Sequence, residues 1–193
     1  MKAAVFFATR EGQTRKIAER VASDLEARDM EVDLHDVRRL RAPIDWPAYA
    51  IVCVAASVHI GHHEREMIAF VKRYRQDLDR LRAVFLSVTL SEAGAEDTRA
   101  PRERREQSAA DAQRMIDVFV EETGWRPAGA LPVAGALAYS HYNFIIRFVM
   151  KCIARRHGAP TDTSRDYELT DWSALDRFIS GAAPTTDASA GAR

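Results

Sequence analysis

The sequence predicts an α/β protein. Five parallel strands in the order 2-1-3-4-5 form a doubly wound sheet covered by helices on both faces, with an added amphipathic helix after strand five. Three observations carry this. Apolar runs of strand length recur at Ala3–Ala8, Ala50–Ala56 and Ala83–Leu90, the first two unbroken and the third interrupted only by Ser87 and Thr89, the pattern of strands buried on both faces. Segments with apolar residues at helical spacing lie between them. The first run ends in a hydroxyl-rich loop that opens directly into a helix, and open sheets of this kind bind ligands at the carboxyl ends of their strands.

Each element follows in order. Ala3–Ala8 is strand one. Thr14–Arg28 is helical, with Ile17, Val21 and Leu25 at spacing four and Ala18 and Ala22 beside them. Glu31–Asp36 alternates and suits strand two, and Pro43 and Pro47 mark a loop. Ala50–Ala56 is strand three and central. Glu64–Leu81 is helical, burying Ile68, Val71, Tyr74 and Leu78. Ala83–Leu90 is strand four, and Ser91–Arg105 is a polar loop. Ser108–Glu122 is helical through Met115, Ile116, Phe119 and Val120. Leu131–Leu137 is strand five, followed by helices over His141–His157 and Asp171–Ile179. Residues 1–180 are expected to form one domain. The small, polar stretch from Gly181 to Arg193 reads as a disordered tail. Crossovers are expected to be right-handed.

Composition narrows the function. The 193 residues contain 47% hydrophobic residues, enough for one core. Lys plus Arg and Asp plus Glu both number 28, so the net charge is zero. That argues against nucleic-acid binding, which needs a basic excess. Cys53 and Cys152 lie far apart in apolar contexts and read as core or interface residues; no metal-ligand spacing is present. The start MKAAVFFATR has too short an apolar stretch for a secretory signal, and no run of 18 apolar residues exists. The expected location is cytoplasmic.

The loop Thr9, Arg10, Glu11, Gly12, Gln13, Thr14 has the make-up of an anion site. The first turn of a helix presents unpaired N–H groups and the positive end of the macrodipole. Thr9 and Thr14 can add hydroxyl donors, and Gly12 permits a tight turn. No Lys follows the glycine, and no G-x-G-x-x-G is present, so a phosphate monoester fits better than a triphosphate or a dinucleotide. The alternative is an ordinary capped turn without a ligand.

These residues resemble the flavodoxin family, whose phosphate loop T-x-[TE]-G-x-T is matched by Thr9, Glu11, Gly12 and Thr14. The resemblance implies FMN as cofactor. It implies an isoalloxazine ring between the loop Ser57, Val58, His59, Ile60, Gly61 and the stretch Val88, Thr89, Leu90. A narrower resemblance is to the flavodoxin-like, menaquinone-dependent protoporphyrinogen IX dehydrogenases of bacterial haem biosynthesis. Their FSTRDGQT start is FATREGQT here, and their S-I-R-Y-G-H segment is Ser57-Val58-His59-Ile60-Gly61-His62. Their W-R-P, A-G-A-L-x-Y, T-D-T and Y-T-D-W segments correspond to Trp125–Pro127, Ala134–Tyr139, Thr161–Thr163 and Leu169–Trp172. The resemblance implies an FMN-dependent oxidoreductase that takes electrons from protoporphyrinogen IX and passes them to a quinone. The chain departs from the pattern at His59-Ile60, where the family carries Arg-Tyr, so an aromatic stacking partner is missing there. The alternatives are a soluble flavodoxin electron carrier and an NAD(P)H-quinone reductase.

The segment His141–His157 has a broad apolar face, with Arg147, Lys151 and Arg155 recurring at spacing four along one flank. This is the pattern of a helix lying in a membrane interface. It suits a peripheral protein on the inner face of the cell membrane that must reach a lipid quinone, and the same cations could hold porphyrin propionates. The alternative is a core helix with a solvated basic face. Tyr139 and His141 open this segment as candidate ring or substrate contacts. His59, His62 and His63 are candidate proton relays; the alternative for His62 and His63 is to cap the next helix or face water. A homo-oligomer is left open.

Overall fold

The computed structural model describes residues 1–137, 139, 155 and 162–184. Five parallel strands form the main sheet: β1 (Lys2–Ala8), β2 (Glu31–Asp36), β3 (Tyr49–His59), β5 (Ala83–Thr89) and β6 (Gly129–Ala134). Their spatial order is β2-β1-β3-β5-β6, the predicted order when the parallel strands alone are counted. Between β3 and β5 in sequence, the short β4 (His62–His63) pairs back antiparallel onto β3.

Helices close both faces. The odd residues of β1, Ala3, Val5 and Phe7, pack with Ile17, Val21 and Leu25 of α1 (Gln13–Glu26). Their even neighbours Ala4, Phe6 and Ala8 face the opposite layer, with Met67 and Phe70 of α2 (Arg65–Arg73), Leu78 of α3 (Arg75–Leu78) and Ile116 and Phe119 further along the chain. Successive side chains of a strand point to opposite faces. A strand covered on both faces must therefore be apolar at every position, which is why these runs are continuous rather than alternating.

Several boundaries differ from the predictions. β3 runs on to His59 instead of ending at Ala56, so the first residues of the 57–63 segment are strand. The segment Ser91–Arg105 is not wholly loop, because it contains α4 (Leu90–Glu96). Thr89 caps that helix by accepting from the Ser91 N–H at 3.3 Å, and Glu92 sits in its first turn, where a negative charge suits the dipole. α5 (Arg102–Thr123) starts earlier than the apolar spacing indicated. The helix predicted over Glu64–Leu81 breaks at Tyr74, whose backbone (φ −108°, ψ 18°) separates α2 from α3. Strand five ends at Ala134, not Leu137: β7 (Ala136–Leu137) leaves the main sheet and pairs antiparallel with β8 (Tyr167–Glu168).

The last described helix, α6 (Trp172–Ala182), is N-capped by Asp171 and places Leu175 and Ile179 in the α1 layer. It runs through Gly181 and Ala182, past the expected start of the tail. Of the helix expected over His141–His157, only Arg155 is described. It is helical and exposed, and its carbonyl accepts from Arg104 Nη2 at 2.8 Å. His141, Arg147, Lys151, Cys152 and the tail from 185 to 193 lie outside the described residues. Among the described residues, no helix is long and apolar enough to cross a membrane.

Candidate functional site

Strand register brings the candidate loops to one rim. At the carboxyl end of the sheet Ala8 pairs with Ala56, Ser57 with Val88, and Thr89 with Ala134. Residues 9–14, 57–63 and 88–90 therefore leave neighbouring strands at the same level, as the topology of an open parallel sheet requires of a ligand site.

The 9–14 loop is built around Gly12. Its φ of 94° lies in the left-handed region, which glycine enters freely, and a Cβ there would meet nothing within 4 Å. The Gly12 N–H donates to Thr9 Oγ1 at 2.9 Å. That contact leaves the Thr9 hydroxyl proton available to another acceptor. No side chain caps α1, so its first-turn N–H groups lack the usual internal acceptor. Thr14 is 1% exposed, and its Oγ1 is buried without a hydrogen-bond partner. A buried hydroxyl beside an uncapped helix start is what a phosphate oxygen would satisfy. Arg10 and Glu11 are exposed.

This loop is braced from the far end of the chain. Gln13 Nε2 donates to Thr170 Oγ1 at 2.9 Å, and that hydroxyl donates to the Ala134 carbonyl at 2.7 Å. Lys16 reaches Glu168 at 3.0 Å. The segment 168–170 thereby ties the start of α1 to the end of β6.

The 57–63 loop is a tight hairpin. Val58 pairs with His63 and His59 with His62, and the turn residues Ile60 and Gly61 both have positive φ, 50° and 78°. Such a two-residue turn favours Asn or Gly. Ile60 is β-branched, and it is 92% exposed at the tip. Behind the hairpin, Glu64 is only 3% exposed. Its carboxylate accepts from the Ser57 N–H at 3.3 Å and from Ser57 Oγ at 3.0 Å. His59 Nε2 lies 3.2 Å from Ser57 Oγ and 3.6 Å from Glu64 Oε1.

The neighbouring histidines have different fates. His62 is exposed. His63 neither caps a helix nor faces water: it is buried against Phe85 and Phe119, with Nε2 2.9 Å from Ser87 Oγ. Burial, aided by the charge on His62, pushes its pKa down to about 3, which holds it neutral and unsuited to relay protons near neutral pH.

The third candidate stretch is not a loop: Val88 and Thr89 end β5 and are buried, and Leu90, the first residue of α4, packs beside Leu137, Tyr139, Tyr167 and Leu169. The Thr89 carbonyl accepts from the Gly135 N–H at 3.3 Å. Tyr139, expected at a membrane or substrate surface, is fully buried in this cluster, edge-on to Tyr167. On α4, burial together with Glu92 and Asp171 raises the Glu96 carboxyl to about 7. Cys53 is buried in the sheet, which pushes its thiol up to about 12 and fits the core role expected of it.

Glu64, Thr170 and Glu96 were not singled out as site residues from sequence. Thr170 lies in the Leu169–Trp172 segment already noted, whereas Glu64 and Glu96 carry no local signal.

Residues 4–164 match the family described as Flavodoxin domain. A protoporphyrinogen IX dehydrogenase (quinone) of Escherichia coli strain K12 is 34% identical over 187 residues, covering 97% of both chains. One from Leishmania major is 26% identical, covering 93% of this chain and 73% of its own. Among solved structures, oxidised Flavodoxin 1 from Bacillus cereus superimposes with a TM-score of 0.52 at 14% identity, covering 94% of this chain and 97% of its own.

Proposed function

The chain belongs to the flavodoxin-domain family that includes the protoporphyrinogen IX dehydrogenases (quinone), and on that premise we propose that it oxidises protoporphyrinogen IX with FMN and passes the electrons to a quinone. The observation that carries this reading is the end-to-end match to the bacterial dehydrogenase, which takes in the phosphate loop, the ring-side hairpin and the 168–172 brace together.

FMN supplies the two-electron redox chemistry when bound. This chain's residues hold and orient it. Thr9 and Thr14, through their hydroxyls, and Gln13 and Thr14, through first-turn N–H groups, would hold the phosphate, with Gly12 making the turn that brings them together. Arg10 and Glu11 frame that cradle from the solvent side. Ser57, Val58, His59, Ile60 and Gly61, together with Val88, Thr89 and Leu90, would hold the ring. The unpartnered Thr14 hydroxyl supports this assignment of the phosphate.

The protein works as a peripheral protein on the cytoplasmic face of the cell membrane. Segment 141–157 meets the lipid there, with Arg147, Lys151 and Arg155 on anionic headgroups. The sequence pattern of that segment supports this, as does the need to reach a lipid-soluble acceptor.

The test is product formation. Purified protein supplied anaerobically with protoporphyrinogen IX and a menaquinone analogue should generate fluorescent protoporphyrin IX in proportion to added quinone. Product formation that ignores the quinone, or none at all, would refute the reading.

A further inference from the structure

The hydrogen bonds around Ser57 determine where His59 carries its proton. A serine hydroxyl has one proton to give. Ser57 Oγ donates it to Glu64 Oε1 at 3.0 Å. At its 3.2 Å contact with His59 Nε2, Oγ can then only accept. His59 must therefore bear its proton on Nε2, and in the neutral ring Nδ1 is left with a free lone pair. Among the described residues Nδ1 has no hydrogen-bond partner, and the side chain is 29% exposed on the hairpin at the mouth of the site. Glu64 Oε1 lies 3.6 Å from the same Nε2.

The charged and titratable surroundings are few. Glu64 faces His59 from the start of α2, and His62 lies across the hairpin from β4. Arg38, after β2, is within electrostatic reach of both Glu64 and Glu66. It is itself held by Asp36 through paired contacts of 3.1 and 2.9 Å.

We propose that His59 Nδ1 is the base that receives the proton released at each oxidation of the substrate, and that Glu64 is a positioning residue that sets the tautomer of His59 through Ser57. This rests on the function proposed above. Each two-electron oxidation of a porphyrinogen removes one hydride equivalent from a meso carbon, for which FMN would be the acceptor, and one proton. Over the whole reaction the porphyrinogen loses hydrogen from all of its meso carbons but from only half of its nitrogens. The proton therefore comes from a pyrrole N–H in the early oxidations and, net, from the remaining meso carbon in the last. In each case that N–H or C–H bond breaks, its electron pair stays in the growing conjugated system, and an N–H bond forms at His59 Nδ1. When the quinone takes up its hydride equivalent it also needs one proton, and returning the proton from His59 restores the starting state.

In nitrogen-15 spectra of the FMN-loaded protein, neutral His59 should be the Nε2–H tautomer, and Ser57→Ala should release that preference. A wild-type Nδ1–H tautomer would overturn the proposal without any variant being made. In anaerobic single turnover, His59→Ala with full FMN content should slow flavin bleaching by protoporphyrinogen IX about a hundredfold, and added imidazole should restore the rate. An unslowed variant, or slowing that imidazole does not reverse, overturns the assignment of the base. Failure of the wild type itself to bleach would instead refute the substrate, and this proposal with it.

Discussion

His63 Nε2 lies 2.9 Å from Ser87 Oγ in the core between β4 and β5, with the ring edge-on to Phe119. The residue next to the solvent-facing His62 is thus a neutral core side chain. Its folded pKa, about 3, lies below the ordinary value of 6.5. The unfolded chain therefore binds the extra proton between these values. Above pH 6.5 both states are neutral at this position and nothing is lost. As pH falls from 6.5 toward 3, stability should decline by up to about 1.4 kcal/mol per pH unit from this residue. Denaturant unfolding of wild type and His63→Phe across pH 4 to 7 checks it. The variant should show a shallower decline, and parallel curves would contradict the assignment.

Thr14→Val should separate the phosphate from the rest of the cofactor. The Thr14 hydroxyl has no partner inside the protein, so its removal should leave the stability of the cofactor-free protein unchanged or slightly raised. Loss of one hydrogen bond to a charged phosphate should weaken FMN binding at least about tenfold, while riboflavin, which lacks the phosphate, should bind wild type and variant alike. Fluorescence titration with both flavins reads this directly.

Ile60 holds a left-handed backbone at φ 50° while 92% exposed. A β-branched residue there is strained by about 1–2 kcal/mol relative to Asn or Gly. Ile60→Asn should raise the unfolding free energy by about 1 kcal/mol, measured by chemical denaturation. If the apolar tip serves the macrocycle, the same variant should keep FMN and lose porphyrinogen oxidation rate. A variant that gains stability and loses no rate would show that the tip does not serve the substrate.

Charge reversal of Arg147, Lys151 and Arg155 to Glu should reduce sedimentation with anionic liposomes and leave FMN content unchanged. Each basic residue near an anionic surface contributes roughly 1 kcal/mol, so the triple variant should lose most of its binding. Equal binding by wild type and variant would assign the segment to the core instead.

The parts of this molecule legible in sequence are those set by neighbours along the chain. β1, β3 and β5 are apolar at nearly every position because helices cover both faces, and that produces runs visible without a structure. The Thr9–Thr14 loop is equally local, since strand, turn and helix start follow one another directly. What was missed depends on distant contacts. The brace from Gln13 to Thr170 joins residues 157 apart in sequence. Glu64 reaches Ser57 only because a two-residue turn folds β4 back on β3, and that turn is hidden because isoleucine disfavours the backbone it adopts. α4 is hidden among charged residues and a glycine, and it is held by the Thr89 cap and by packing on α5 rather than by an apolar stripe.

The most direct test of the central claim is anaerobic mixing of the yellow FMN-loaded protein with protoporphyrinogen IX, followed by addition of a menaquinone analogue, with the flavin's visible absorbance as readout. The porphyrinogen should bleach the flavin, and the quinone should restore its colour. A flavin that protoporphyrinogen IX leaves unchanged, but that NADPH bleaches rapidly, would contradict it.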